Sequence, residues 1–248
     1  GRGRAYSRST TGTAFGDSVR TTIGVEGIDA LIEGGVPRGS AVLASGEAGT
    51  GKSVLCIQFI LAGIREGEPG VYATADHPNR VIEAAASLGW DLRGAVEDGF
   101  ARVVQIASEE SLASPGAAVP GGQAAAMTIG AAASEVDAER VVIDPPLLAG
   151  SPDSGAAGEF VASLVRSTLR ETHCTTLVSG LRVRGASGFT RLGIEEQLAD
   201  GIIDLRIDEN EGRRTRVLAV RSMHGTRTNL DDHLFAILAG RGMVVGEA

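Results

Sequence analysis

Residues 46–53, GEAGTGKS, decide the fold of this chain. They fit the pattern G-x-x-x-x-G-K-[ST], in which backbone N–H groups surround phosphates and glycines allow a close approach. Lys52 would place a cation beside the β- and γ-phosphates during phosphoryl transfer, and the Ser53 hydroxyl would bind Mg²⁺. The pattern predicts a nucleoside triphosphate site made of Gly46, Glu47, Ala48, Gly49, Thr50, Gly51, Lys52 and Ser53.

The residues on either side of this loop have the patterns of a strand and a helix. AVLAS (41–45) is a short apolar run, and residues 51–67 have helical apolar spacing. A glycine-rich turn with a surface lysine is the alternative interpretation. The order strand, loop, helix favours the nucleotide site, since it directs the positive end of the helix at the phosphates.

Apolar strands alternate with helical segments along most of the chain, which predicts an α/β fold with a mainly parallel central sheet flanked by helices. From residue 201 onward, consecutive strands predict a C-terminal antiparallel extension of one sheet edge. The predicted strands are 41–45, 70–75, 101–106, 140–144 and 174–180, and the predicted helices are 51–67, 79–88, 123–137 and 157–171.

The chain is predicted to form a single domain over residues 21–248. Residues 1–20 lack apolar periodicity and are rich in Gly, Ser, Thr and Arg, so we expect a flexible N-terminal arm. Two further stretches, 107–123 and 149–158, have the composition of long loops.

The overall composition limits the classes of function. With 43% hydrophobic and 22% charged residues over 248 positions, the chain is typical of a globular protein. A net charge of −8 argues against binding nucleic acid over the whole surface. Cys56 and Cys174 lie in apolar runs and are predicted to be buried thiols. With no apolar run long enough to span a membrane, we expect a cytoplasmic protein.

Asp144 ends the apolar strand RVVID (140–144). An aspartate at the end of a strand beside a phosphate loop holds Mg²⁺ and its water ligands in many nucleotide-binding proteins. We therefore expect Ser53 and Asp144 to form a magnesium site, with Asp144 acting through water.

Linked motifs in the right order resemble a KaiC-like domain of the RecA superfamily of P-loop ATPases. Beyond the phosphate loop, they are TIGVEGIDALIEGGVPRGS (22–40), GEPGVYAT (67–74), ASLGWDL (86–92), SGFTRLGIEEQLADGIIDLR (187–206) and HGTRTNLDDHLFAI (224–237). The resemblance implies a RecA-type sheet, ATP as the nucleotide, and a homo-oligomeric ring, commonly a hexamer, with ATP between subunits.

The chain departs from this family at the residues that activate water. Family members that hydrolyse ATP end the second strand with a pair of acidic residues, and here the matching stretch VYATADHP (71–78) has Asp76 and His77. Asp76 is one methylene shorter than glutamate, and a misplacement of about 1 Å costs roughly 10²-fold in rate. His77 is either a second candidate base or an uncharged loop residue.

Two further departures affect phosphate contacts. The family places a Lys and an Arg before a Gly-Thr pair to reach the neighbouring subunit's γ-phosphate, but AVRSMHGTR (219–227) has Ser222 and His224 there. Strand alternation turns Arg221 to the opposite face, which leaves Arg227 as the alternative cation. Pro145-Pro146 follow Asp144 where the family has serine, and Ser179 is the remaining candidate for sensing the nucleotide.

Three classes of function stay open. A nucleotide-dependent assembly or signalling protein with weak or no hydrolysis, read by an unidentified protein partner, agrees best with the altered residues. The second class is a ring-forming ATPase that uses Asp76 or His77. The third, less favoured, is a DNA-binding recombinase relative with a basic loop of Arg182, Arg184 and Arg191, which lacks interleaved aromatics.

Overall fold

The computed structural model describes residues 19–106, 121–144, 154–183, 185, 187–210 and 212–246. The arm up to residue 18, most of the loop 107–123, much of 149–158, Pro145, Pro146 and Arg184 therefore lie outside the described residues. The predictions made for them stay predictions.

The described residues form strands and helices in alternation, as the sequence predicts. The strands are β1 (Arg20–Thr21), β2 (Val36–Pro37), β3 (Ala41–Gly46), β4 (Gly70–Thr74), β5 (Ala101–Gln105), β6 (Arg140–Asp144), β7 (Thr175–Leu181), β8 (Gly201–Asn210), β9 (Arg213–Met223), β10 (His233–Leu238) and β11 (Gly242–Val245). The helices are α1 (Ile28–Leu31), α2 (Lys52–Glu66), α3 (Pro78–Ser87), α4 (Leu92–Glu97), α5 (Gly121–Val136), α6 (Ser154–Thr172) and α7 (Glu195–Leu198).

A nine-stranded sheet runs through the described part of the chain in the order β11-β10-β9-β8-β3-β7-β6-β4-β5. Its strands are parallel from β8 to β5 and antiparallel from β8 to β11. The prediction of a mainly parallel sheet with an antiparallel extension is confirmed. Because the parallel strands end at the same edge, the loops after β3, β4, β6 and β7 meet there.

The antiparallel extension begins one strand later than the sequence pattern suggests. We expected the segment from residue 201 to open the antiparallel part, but β8 pairs in parallel with β3 and only its other edge pairs with β9. The connection through α7 brings β8 into the sheet in the direction of β3. The short strand β11, which pairs with β10, is not among the predicted elements.

The sheet buries a hydrophobic core on each face. One core packs the sheet against α2, α3 and α4, and it includes Tyr72, Val142 and Leu177. The other packs the sheet against α5 and α6. Cys56 and Cys174 are buried and unpaired with each other, as predicted. None of the helices within the described ranges has the length and apolar character needed to cross a membrane.

A fully buried arginine joins three parts of the fold. Arg140, at the start of β6, is 0% exposed and lies over the ring of Phe59 at 5.0 Å. Its guanidinium donates to the carboxylates of Glu66 and Glu68 at 2.6 and 2.8 Å and to the carbonyl of Thr22 at 2.7 Å. The sheet, α2 and the segment before α1 are thereby fixed to one another.

Candidate nucleotide and magnesium site

The phosphate loop connects the carboxyl end of β3 to the start of α2. Gly49 and Gly51 have φ values of 81° and 112°, a region that favours glycine. No side chain caps α2, so its first N–H groups remain available to an anion. The buried Thr50 hydroxyl donates to the carbonyl of Glu47 at 2.9 Å and fixes the turn. This geometry suits the binding of phosphate groups.

Lys52 lies folded over the loop. Its ammonium group donates to the carbonyl oxygens of Gly46 and Glu47 at 2.7 and 2.9 Å. Burial lowers the pKa of Lys52, while the negative charge of Asp144 opposes that shift. Lys52 is also the sole lysine in the sequence, since every other one of the 23 basic residues is an arginine.

Asp144 lies at the carboxyl end of β6, facing the loop. The phenol of Tyr72 donates to its Oδ2 at 2.9 Å. Burial raises the pKa of Asp144, and the hydroxyls of Ser179 and Tyr72 oppose that shift, as does the charge of Lys52. The candidate magnesium carboxylate is therefore hydrogen-bonded to a buried phenol and lies near the loop lysine.

Tyr72 contacts the predicted magnesium carboxylate and is not among the predicted site residues. It is 1% exposed, and its hydroxyl donates to Asp144. Burial raises the pKa of Tyr72 well above its ordinary value, and the charge of Asp144 adds to the shift. A tyrosine inside an apolar strand was the available signal, because a buried phenol usually requires a polar partner.

These residues fit a magnesium ion that is completed by a nucleotide. Mg²⁺ prefers oxygen ligands and is usually bound by one or two carboxylates, substrate phosphates and water. Ser53 and Asp144 supply one hydroxyl and one carboxylate at the phosphate loop. Across the described ranges, no group of three or more His, Cys, Asp or Glu side chains could hold a metal unaided. Here Mg²⁺ would neutralise phosphate charge.

Asp76 and His77 follow the end of β4, beside the end of β6. The Asp76 side chain is 68% exposed and lies 3.5 Å from the guanidinium of Arg80. Its negative charge contributes to raising the pKa of Asp144, and the N–H of the preceding residue, Ala75, donates to the backbone carbonyl of Asp144 at 3.2 Å. His77 begins α3, and its Nδ1 accepts a hydrogen bond from the N–H of Asn79 at 3.2 Å.

The residues at the family's γ-phosphate positions lie on an exposed part of β9 and the turn after it. Ser222 and His224 are both exposed. Arg221 instead donates to the buried carboxylate of Asp204 at 3.2 Å. Arg227 is 96% exposed and pairs with Glu33 at 3.2 Å.

The basic loop has its first arginine tied to the sheet. Arg182 donates to Asp204 at 3.1 Å, and its guanidinium lies 5.6 Å from the centre of the Phe189 ring. Arg191 is exposed, while Arg184 lies outside the described residues. Asp204 is 1% exposed and also binds Arg206 and Arg221, so it organises an arginine cluster that the sequence reasoning missed.

Comparison with known proteins gives relatives along nearly the whole chain. The sequence profile of the family described as "ATPase: KaiC" matches residues 21–248. A UPF0273 protein of Methanopyrus kandleri is 35% identical over 231 residues, covering 88% of each chain. The circadian clock oscillator protein KaiC of Synechococcus elongatus is 32% identical over 225 residues, which are 86% of this chain but 41% of that protein.

A solved structure gives the same result for the fold. The crystal structure of a KaiC-like protein from Pyrococcus horikoshii matches with a TM-score of 0.79 and 29% sequence identity, covering 92% of this chain and 99% of that one. The strand–loop–helix geometry at residues 46–53 agrees with this likeness. The chain therefore belongs to the KaiC family of ATPases, as a KaiC-like domain of the RecA superfamily of P-loop ATPases.

Proposed function

We propose that the protein binds ATP and Mg²⁺ at the phosphate loop and acts through nucleotide-dependent self-assembly or signalling, with weak or no hydrolysis. The observation that carries the binding proposal is the arrangement of Lys52, Ser53 and Asp144 around an uncapped helix start. Lys52 and the N–H groups would hold the phosphates, while Ser53 and Asp144 would hold the metal ion and its water ligands.

The water-activating residues support slow turnover. Asp76 carries the shorter side chain, and its carboxylate lies 3.5 Å from the guanidinium of Arg80, which would compete with water for it. Because Nδ1 of His77 accepts from Asn79, the neutral imidazole has its proton on Nε2, and that nitrogen donates rather than accepts. Neither residue then has the position and the free lone pair of an efficient base.

The phosphate contacts expected from a neighbouring subunit support the same proposal. Ser222 and His224 replace residues that are basic in the family, and an arginine finger is worth about 10³–10⁵ in rate. Arg221 is bound to Asp204, and Arg227 pairs with Glu33 of its own chain. Assembly needs no turnover, since a nucleotide that binds the assembled state preferentially stabilises it by mass action. A hexameric ring is our proposal for that state.

A second candidate function is a working ATPase that uses Asp76. The charge of Asp76 acts on Asp144, so the carboxylate lies near the region that the metal ion would occupy. A rotation of the exposed Asp76 side chain away from Arg80 would free it to orient water.

DNA binding receives less support, because Arg182 is already engaged by Asp204 and Phe189.

The test is an equilibrium titration with ATP and Mg²⁺, run beside an assay of phosphate release. We expect saturable ATP binding that Lys52→Ala abolishes, with phosphate release near the level of that variant. If release depends on Lys52, is lost in Asp76→Asn and is kept in His77→Ala, the second candidate is correct. Absence of ATP binding by the unmodified protein would contradict the proposed function altogether.

A further inference from the structure

We propose that Tyr72 is a positioning residue of the magnesium site, where its hydroxyl orients Asp144 toward the metal ion. This inference rests on the proposed binding of Mg²⁺ with the nucleotide, and it assigns a role to a residue that the phosphate-loop motif does not include.

The position of Tyr72 is fixed by the sheet. Tyr72 pairs with Val142 and Thr74 pairs with Asp144, so the tyrosine lies one side-chain repeat before the sheet edge, on the face toward α2. Its ring belongs to the core between the sheet and α2 and is 1% exposed. The ring therefore extends along the sheet and presents its hydroxyl at the edge, 2.9 Å from Oδ2 of Asp144.

The direction of the hydrogen bond follows from the number of protons. A phenol has one proton, and an ionised carboxylate only accepts, so Tyr72 donates to Asp144. The bond is directed at Oδ2, one of the two carboxylate oxygens.

This hydrogen bond prepares Asp144 for a cation and its water ligands. Because Tyr72 occupies Oδ2 of Asp144, the other carboxylate oxygen would be left to accept from water on the metal ion. Partners that orient metal ligands in this way typically contribute 10–100-fold to metal affinity.

The alternative is that Tyr72 only fills the core and satisfies its hydroxyl. The two roles differ in their dependence on Mg²⁺. A core residue affects stability and nucleotide binding equally with and without the ion, whereas a positioning residue affects only the part of binding that requires Mg²⁺.

The experiment compares Tyr72→Phe with the unmodified protein. We would measure the affinity for ATP in EDTA and the Mg²⁺ concentration that gives half of the Mg²⁺-dependent gain in affinity. We expect unchanged affinity in EDTA and an Mg²⁺ midpoint raised by about tenfold. Tyr6→Phe is the matched control, since Tyr6 is the other tyrosine of the sequence and lies outside the described residues.

An unchanged or lowered Mg²⁺ midpoint in Tyr72→Phe, or an equal loss with and without Mg²⁺, would overturn the inference. Mg²⁺-dependent ATP binding by the unmodified protein separates this failure from a failure of the proposed function, and its absence would overturn both.

If Tyr72→Phe does not fold, ¹³C labelling of tyrosine Cζ gives the same answer in the unmodified protein. With ATP bound, added Mg²⁺ should shift the Tyr72 resonance and leave the Tyr6 resonance in place, with Tyr6→Phe assigning the two. A Tyr72 resonance that does not respond to Mg²⁺ would contradict the positioning role.

Discussion

Among single residues, we expect Lys52 to have the most direct influence on nucleotide binding. Its ammonium group is held by the carbonyls of Gly46 and Glu47, and burial lowers its pKa from the ordinary value of 10.5. Phosphates favour the charged form, so nucleotide binding and protonation of Lys52 are coupled. Below the lowered pKa the lysine is charged before the nucleotide arrives, and above it binding must first take up a proton.

We therefore predict that ATP affinity falls as the pH rises through the lowered pKa of Lys52, at values below 10.5. The neighbouring groups do not titrate in that window, because burial raises the pKa of both Cys56 and Tyr72 well above their ordinary values. ATP titrations between neutral pH and about pH 10 measure the effect. Lys52→Arg is the control, since a guanidinium stays charged throughout.

Reaction with an amine-selective reagent gives an independent readout, because Lys52 is the sole lysine and only the α-amino group competes with it. The pH dependence of labelling should match that of ATP affinity, and bound ATP should protect Lys52. Constant affinity over the pH range, or an equal loss in Lys52→Arg, would contradict the assignment.

At the residue scale, the sequence predicts those site residues that a fixed spacing or a strand end defines. The loop motif and Asp144 are of this kind. The apolar strand around Tyr72 signals a buried phenol that needs a polar partner, but the partner, Asp144, could not be predicted because it meets Tyr72 only through strand register. The N-terminal cap that the His77 side chain makes on α3 could not be predicted either, since histidine at that position has no characteristic capping pattern.

At the scale of elements, apolar periodicity predicts well where strands and helices lie along the chain. It predicts poorly which strands pair and in which direction. The predicted strand 140–144 coincides with β6, and the predicted helix 51–67 differs from α2 by one residue at each end. The direction of β8 was not apparent, because an apolar strand has the same pattern in a parallel and in an antiparallel pairing. The strand β11 is too short for a clear alternation.

The contacts of Arg140 make it the residue that most strongly couples these elements. We predict that Arg140→Ala lowers the free energy of unfolding by about 3–5 kcal/mol, the usual cost of leaving a buried ion pair without one partner. Glu68, with 16% side-chain exposure, would lose its buried partner and retain only the half-exposed Arg38 at 3.3 Å. Urea denaturation of the nucleotide-free protein measures the change.

Arg214→Ala is the matched control for Arg140→Ala. Arg214 pairs with Glu209 at 3.3 Å but is 68% exposed, so its loss should cost less than about 1 kcal/mol. Equal effects of the two substitutions would show that the buried guanidinium does not join the elements as the contacts indicate.

At the scale of the whole molecule, we propose that the exposed positions at Ser222 and His224 limit what assembly can do. In a ring these side chains would face the neighbouring subunit's nucleotide, and neither is a lysine or an arginine. The fold and the phosphate loop could be predicted from the sequence because they depend on one chain. The proposed site between subunits could not, since part of its contacts would come from another copy.

We predict that ATP controls assembly of the protein and is hydrolysed only slowly. We expect the protein to form a larger species when ATP and Mg²⁺ are added, and Lys52→Ala to keep the size that the unmodified protein has without nucleotide. The rate of ATP hydrolysis should stay far below the range of about 1–10³ s⁻¹ that is typical of enzymes. The altered residues at Asp76, Ser222 and His224 are the physical reason.

The most direct measurement is sedimentation velocity with ATP and Mg²⁺, with phosphate release followed in the same sample. We expect a Lys52-dependent increase in sedimentation coefficient while most of the ATP remains intact. Sedimentation that does not respond to ATP, or rapid phosphate release that Asp76→Asn abolishes, would contradict this prediction.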